Sequence, residues 1–208
     1  MWLIRAARAL EDHWFDLTRS VRTSGETQLE GLQLAGERRD AFWYLPVRAT
    51  AARSLLRALP VDDYRNYRFV DLGSGAGRML FLAAEFPFRQ IEGVELALEL
   101  HRRAEQNIAR FRSFGKRCHN LRSIHLSAAD YEFPAENLVV AFFNSFGEQT
   151  LSDVVKRLEE SVKAHPRSVI VAMIYPQFGY VMDRSNEFRV YRATAKWRIY
   201  CSKREARA

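Results

Sequence analysis

Two apolar runs in the second half of the chain, "NLVVAFF" (137–143) and "SVIVAMIY" (168–175), show no alternation of polar and apolar positions. Strands covered by helices on both faces read this way, whereas a strand with one wet face alternates. Further strands are predicted at 68–72, 90–95, 122–127, 188–193 and 196–202, and helices at 76–86, 96–113 and 148–164. In "PVRATAARSLLRALP", Pro46 opens a helix and Pro60 stops it, with Leu55, Leu56 and Leu59 turned inward. Strand, helix and strand in series imply right-handed crossovers and a mostly parallel sheet. The last two strands have no room for a helix between them and are expected to form an antiparallel hairpin. Residues 1–20 place Leu3, Leu10, Trp14 and Leu17 on one helical face, which is expected to pack against the main domain. The polar face of that helix is mixed in sign, which makes it a poor membrane-surface helix, and no membrane partner is expected. "TSGETQLEGL" then reads as an irregular connection.

Composition adds limits. The chain has 208 residues, 48% hydrophobic and 27% charged, as expected for one globular domain with a sizeable core. It contains no run of eighteen apolar residues and no signal-peptide pattern, and its two cysteines are not in a CxxC arrangement, so a reducing cytoplasm is expected. The five histidines lack metal-ligand spacing, and no metal is expected. Net charge is +7, from 32 Lys and Arg against 25 Asp and Glu. The excess is concentrated in 101–122 and 189–207, each with seven basic residues and a single acid. Such a surface suits a nucleic acid or an acidic protein, or serves as a solvated face.

The segment "FVDLGSGAGR" (69–78) carries the candidate chemistry. A strand runs into Gly73, Gly75 and Gly77, and then into a helix. A phosphate P-loop is excluded because no G-K-[ST] follows, and Arg78 stands where the dinucleotide fingerprint has its third glycine. Glu95 ends the next strand at the same sheet edge, where an acid accepts both ribose hydroxyls of an adenosine. Asp130 follows the third strand, where a carboxylate takes the exocyclic amine of adenine, with Tyr131 beside it as a stacking surface. Each acid also has a local reading: Glu95 at a helix N-terminus and Asp130 capping a turn.

"VDLGSGAGR", "GVEL", "AADYEF" and "FFNSFGE" resemble, in order and spacing, the class I S-adenosylmethionine-dependent methyltransferases. The resemblance implies a three-layer, Rossmann-like α/β sandwich. Its mostly parallel seven-stranded sheet would end in an antiparallel hairpin, with residues 1–40 as an N-terminal helical extension and 41–208 as the cofactor-binding domain. It further implies that Asp71 and the loop of Gly73, Ser74, Gly75 and Gly77 hold the methionine part of S-adenosylmethionine. Glu95 would hold the ribose, and Asp130 with Tyr131 the adenine. Tyr44-Leu45-Pro46 and Asn144-Ser145-Phe146 are similar to Y-x-P and N-P-F motifs of small bacterial members, with serine in place of proline. Asn144 is then the catalytic candidate, orienting an acceptor amine, while Tyr44 and Phe146 wall the substrate channel. The acceptor itself, a small molecule or a protein or nucleic-acid amine, carries no legible code. The alternative is a non-catalytic module that binds RNA or an acidic partner.

Overall fold

The computed structural model describes residues 2–37 and 40–203, with side chains from Arg8 onward. One sheet contains β1 (Arg68–Leu72), β2 (Gln90–Glu95), β3 (Leu121–His125), β4 (Leu138–Phe143), β5 (Val169–Ile174), β6 (Phe188–Ala193) and β7 (Trp197–Ser202). Their order across the sheet is β3-β2-β1-β4-β5-β7-β6. The first five strands are parallel, and β7 inserts antiparallel between β5 and β6.

Successive residues of the central strands enter different cores. Phe69, Ile91, Val139 and Ile170 join α2 (Ala49–Arg57) and α3 (Arg78–Ala83) on one face. Val70, Val94, Val140 and Val171 join α5 (Glu148–Ala164) on the other. This two-sided burial is the physical reason the strands do not alternate, and each such side chain contributes about 1.5–3 kcal/mol. Leu55, Leu56 and Leu59 are buried as the spacing predicts. Helix α4 (Leu98–Arg110) and the short α6 (Gly179–Asp183) complete the fold. The sequence pattern does not predict α6. Helix α3 is shorter than predicted: it starts only after Gly77, whose φ of 90° puts it in the left-handed region. None of the described helices is long and apolar enough to cross a membrane.

Helix α1 (Trp2–Arg19) corrects the expectation of which face packs. Leu10, Trp14 and Leu17 are 72%, 67% and 64% exposed. The Leu3 side chain lies outside the described residues. The helix docks through its opposite, mostly charged face. Phe15 is buried, with the Arg78 and Arg19 guanidinium groups over its ring at 4.7 and 4.4 Å. Asp12 pairs with Arg78, and Asp16 accepts from the Thr23 and Ser24 amides at 2.8 and 2.9 Å. Arg19 pairs with Glu85 at 2.9 Å. The deciding partner is Arg78, buried at the start of α3, because a guanidinium taken out of water needs carboxylates around it.

Candidate functional site

The strand order reverses at β1, which lies between β2 and β4. In open α/β sheets a crevice forms beyond the carboxyl ends of the strands at such a point. Here it is a cavity of about 460 Å³, within the usual range for small-molecule sites. Its floor is Asp71, Gly73 and Ser74, and its walls are Val94, Glu95, Leu96, Ser127 and Ala128 on one side and Phe143 to Phe146 on the other. Residues 41–47 form its roof.

The glycine loop is bare largely because the protein itself presses on it. A Cβ on Gly75 would lie 2.1 Å from the Tyr44 ring, and one on Gly73 would lie 2.2 Å from Ser145 Cβ. Both glycines also have positive φ. Gly73 and Ser74 line the cavity, whereas Gly75 lies under Tyr44 and Gly77 serves as the N-cap of α3. The α4 residue Asn107 steadies the loop, donating to the Ala76 carbonyl at 2.9 Å and the Arg22 carbonyl at 3.0 Å. Arg78, at the position of the missing third glycine, donates to Thr23 Oγ1 at 2.7 Å and Ser24 Oγ at 3.1 Å besides pairing with Asp12.

Glu95 accepts from the Gly75 amide at 2.7 Å through one oxygen and from the Ala97 amide at 2.9 Å through the other. Each carboxylate oxygen keeps a second lone pair for a ligand hydroxyl. Burial raises its pKa, while the amides of Ala97, Gly75 and Leu96 pull the other way. Asp71 is also buried and accepts no hydrogen bond from a described residue. Burial, with the neighbouring Glu95 charge adding to it, pushes its carboxyl up to about 8. Among the described residues the cavity therefore contains two buried acids, and the one buried guanidinium there, Arg78, is already committed to Asp12 and Asp16. That electrostatic balance suits a cationic ligand and opposes a pyrophosphate.

The roof is held at several points. Thr27 and Tyr44 exchange two backbone hydrogen bonds, of 3.1 and 2.8 Å, and the Tyr44 hydroxyl donates to the Thr23 carbonyl at 2.6 Å. Burial pushes that phenol well above its usual range. Phe42 N donates to the Ser145 carbonyl at 3.1 Å, and Asp40 caps α5 by accepting from Gln149 N at 2.8 Å, Thr150 N at 3.3 Å and the Thr150 hydroxyl.

Asn144 lines the cavity in a left-handed conformation (φ 41°), with its amide oxygen accepting from Gln177 N at 3.4 Å. Phe146 is buried at the cavity wall, with its ring 5.7 Å from that of Phe142. The structure does not bring Asp130 and Tyr131 to the cavity. A 3-10 turn over Ala128–Asp130 leaves Asp130 exposed toward Arg157, 3.9 Å away in an adjoining polar hollow. Tyr131 points into the core, where its hydroxyl donates to Glu92 Oε2 at 2.6 Å. Ser127 and Ala128, three and two residues before Asp130, hold the wall positions instead. Sequence reasoning also missed Phe42, Trp43, Phe143 and Gln177 around the opening. The signals for them were the "FWYLP" run around Tyr44, for Phe42 and Trp43, and "FFNSFGE", for Phe143.

No protein-family model matches this sequence, and no curated protein matches it either. Solved structures do match the fold. The chain is similar to an RNA methyltransferase from Salinibacter ruber in complex with S-adenosyl-L-homocysteine, with TM-score 0.52 and 16% identity over 79% of this chain and 96% of that one. It is similar to a putative RNA methyltransferase from Pyrococcus horikoshii, with TM-score 0.55 and 15% identity over 76% and 85%. A third is magnesium protoporphyrin IX methyltransferase from Synechocystis with bound S-adenosylmethionine, with TM-score 0.53 and 14% identity over 76% and 79%. Two are named for RNA and one for a porphyrin, and at 14–16% identity the likeness is one of fold.

Proposed function

We propose that this protein is an S-adenosylmethionine-dependent methyltransferase. The observation that carries the reading is the pair of buried carboxylates, Asp71 and Glu95, at the glycine-loop cavity of a fold shared with methyltransferases. S-adenosylmethionine supplies a methyl group already activated by its sulfonium and presents cationic groups, which these acids suit. In this reading Asp71 receives the ligand ammonium and Glu95 the ribose hydroxyls, with Gly73 and Ser74 beneath the methionine part. Leu96, Ser127 and Ala128 flank the adenine, replacing Asp130 and Tyr131 in that role. Asn144 takes the acceptor side, its amide oxygen turned from Gln177 N to an acceptor amine, which it orients for in-line displacement. Tyr44, Phe143 and Phe146 exclude water there. The acceptor is an amine of a protein, nucleic acid or small molecule.

Isothermal titration tests the reading. S-adenosylmethionine and S-adenosylhomocysteine should bind at micromolar Kd, about −7 to −9 kcal/mol, while NAD should give no heat. Absence of binding by both would remove the proposal. The non-catalytic alternative forecasts binding without methyl transfer to any fraction of a labelled lysate.

A further inference from the structure

The docking of α1 leaves a surface that the methyltransferase reading does not use. Leu10, Trp14 and Leu17 follow one another at helical spacing on the outward face. The charged residues Arg8, Glu11, Asp12, Asp16 and Arg19 are all partly buried. The exposed residues between positions 9 and 20 are Ala9, Leu10, His13, Trp14, Leu17, Thr18 and Ser20, with no acid among them. The sequence alone suggests a polar face of mixed sign; packing turns that face inward and leaves the apolar one in water. Beside the end of this helix stands a second apolar group. Arg112 N donates to the Arg19 carbonyl at 3.0 Å, so the loop from α4 to β3 departs from the last turn of α1. Two residues further on, Phe114 is fully exposed. On either side of it in the sequence stand Arg110, Arg112, Lys116 and Arg117, with no acid between 106 and 129, and none of the four forms an ion pair among the described residues.

We infer that this end of the molecule docks on an anionic phospholipid surface. An exposed apolar stripe on a folded protein ordinarily marks a contact site. Here the stripe includes leucines, which do not stack on bases, so single-stranded RNA would use only Trp14 and Phe114 and leave the rest solvated. A lipid surface uses every group. Leu10, Leu17 and Phe114 enter the acyl boundary, Trp14 sits at the headgroup level, and Arg110, Arg112, Lys116 and Arg117 meet lipid phosphates. The helix lies along the surface and does not span it. It supplies the apolar contact, and the neighbouring loop supplies the charge that selects anionic lipid over neutral lipid.

The full chain should co-sediment with vesicles of phosphatidylcholine containing about one-third phosphatidylglycerol and remain in solution with phosphatidylcholine alone. Its tryptophan emission should shift to the blue on binding and be quenched by brominated lipid. Leu10→Glu with Leu17→Glu, and separately Phe114→Ser, should each weaken partitioning by about tenfold or more while leaving the melting temperature unchanged, since the side chains are exposed. Arg112→Ser with Lys116→Ser should weaken it and reduce its salt dependence. The proposal fails if the unmodified chain neither sediments with anionic vesicles at low salt nor shows lipid quenching. It also fails if the leucine pair variant partitions like the parent. Binding of a single-stranded RNA with no vesicle binding, or a dimer dispersed by the leucine substitutions with no vesicle binding, would assign the surface to another partner and overturn the inference.

Discussion

Ser145 occupies the space that a side chain on Gly73 would need. Its Cβ stands 2.2 Å from where a Gly73 Cβ would be, and its hydroxyl donates to the Gly73 carbonyl at 3.2 Å. The loop after β4 is thereby set against the loop after β1, and the two walls of the cavity have a fixed spacing.

Gly73→Ala should therefore destabilise the protein, by about 1–2 kcal/mol from the positive φ alone, with the collision added. Ser145→Gly in the same chain removes the collision but not the backbone cost. Urea unfolding of the two single variants and the double should give a coupling above about 0.5 kcal/mol. Strict additivity would mean that the loops are not in contact in solution.

Asp71 titrates with a raised pKa in the folded protein, so the native state holds its proton up to about 8 while the unfolded state releases it near the usual carboxylate range. Between those values the unfolded state binds fewer protons, and this group makes stability fall as pH rises. Asp71→Asn should then raise the melting temperature at pH 8.5 and change it little at pH 4. Binding follows the opposite trend: a cationic ligand takes the ionised acid, so affinity should increase toward pH 8, and this part of the dependence should vanish in Asp71→Asn. Titration of both proteins in buffers of different ionisation enthalpy measures the proton released. A release identical in the two proteins removes Asp71 from the ligand contacts.

Glu95 serves both the ligand and the loop. Glu95→Ala should weaken S-adenosylmethionine binding by about 1.5–3 kcal/mol. It should also lower the melting temperature, because the Gly75 and Ala97 amides lose their acceptor. Glu95→Gln keeps one acceptor oxygen and should recover part of the stability while remaining weak in binding. Unchanged affinity in both variants would end the ribose assignment.

Asn144 is distinguished by comparing two replacements. Its left-handed conformation costs alanine about 1 kcal/mol and costs glycine little. If the amide orients the acceptor, Asn144→Ala and Asn144→Gly should both cut single-turnover methyl transfer by about 10²-fold, with cofactor affinity kept within a few fold and only the alanine variant less stable. A glycine variant that transfers methyl normally would show that the residue is there for its backbone.

The sheet was legible in the sequence because burial on both faces writes an unmistakable apolar run, as in "SVIVAMIY". The place of Glu95 beside the glycine loop was legible because a strand end has a fixed position relative to that loop. The orientation of α1 was not: its apolar periodicity is real, but the choice of face was made by Arg78, distant in sequence. The placement of Asp130 and Tyr131 was not legible, for a local reason. The 3-10 turn at Ala128–Asp130 rotates one outward and the other inward, and a turn of three residues carries no periodicity to read. Of the roof only Tyr44 was legible; its pairing was not, because bridges such as Thr27 with Tyr44 link irregular segments.

Asp40 caps a helix to which it does not belong. Burial opposes its charge, but the bonds from Thr150 and Gln149 outweigh this and hold its pKa below the ordinary value. The cap is therefore in place at neutral pH and is lost as pH falls through that lowered value. The amides of Gln149 and Thr150 depend on a carboxylate that stands one residue before the roof. Lifting this segment would take the acceptor from the two amides together. Their hydrogen-exchange rates, compared with those of the middle of α5, thus serve as a clock for the opening of the cavity, readable without a substrate.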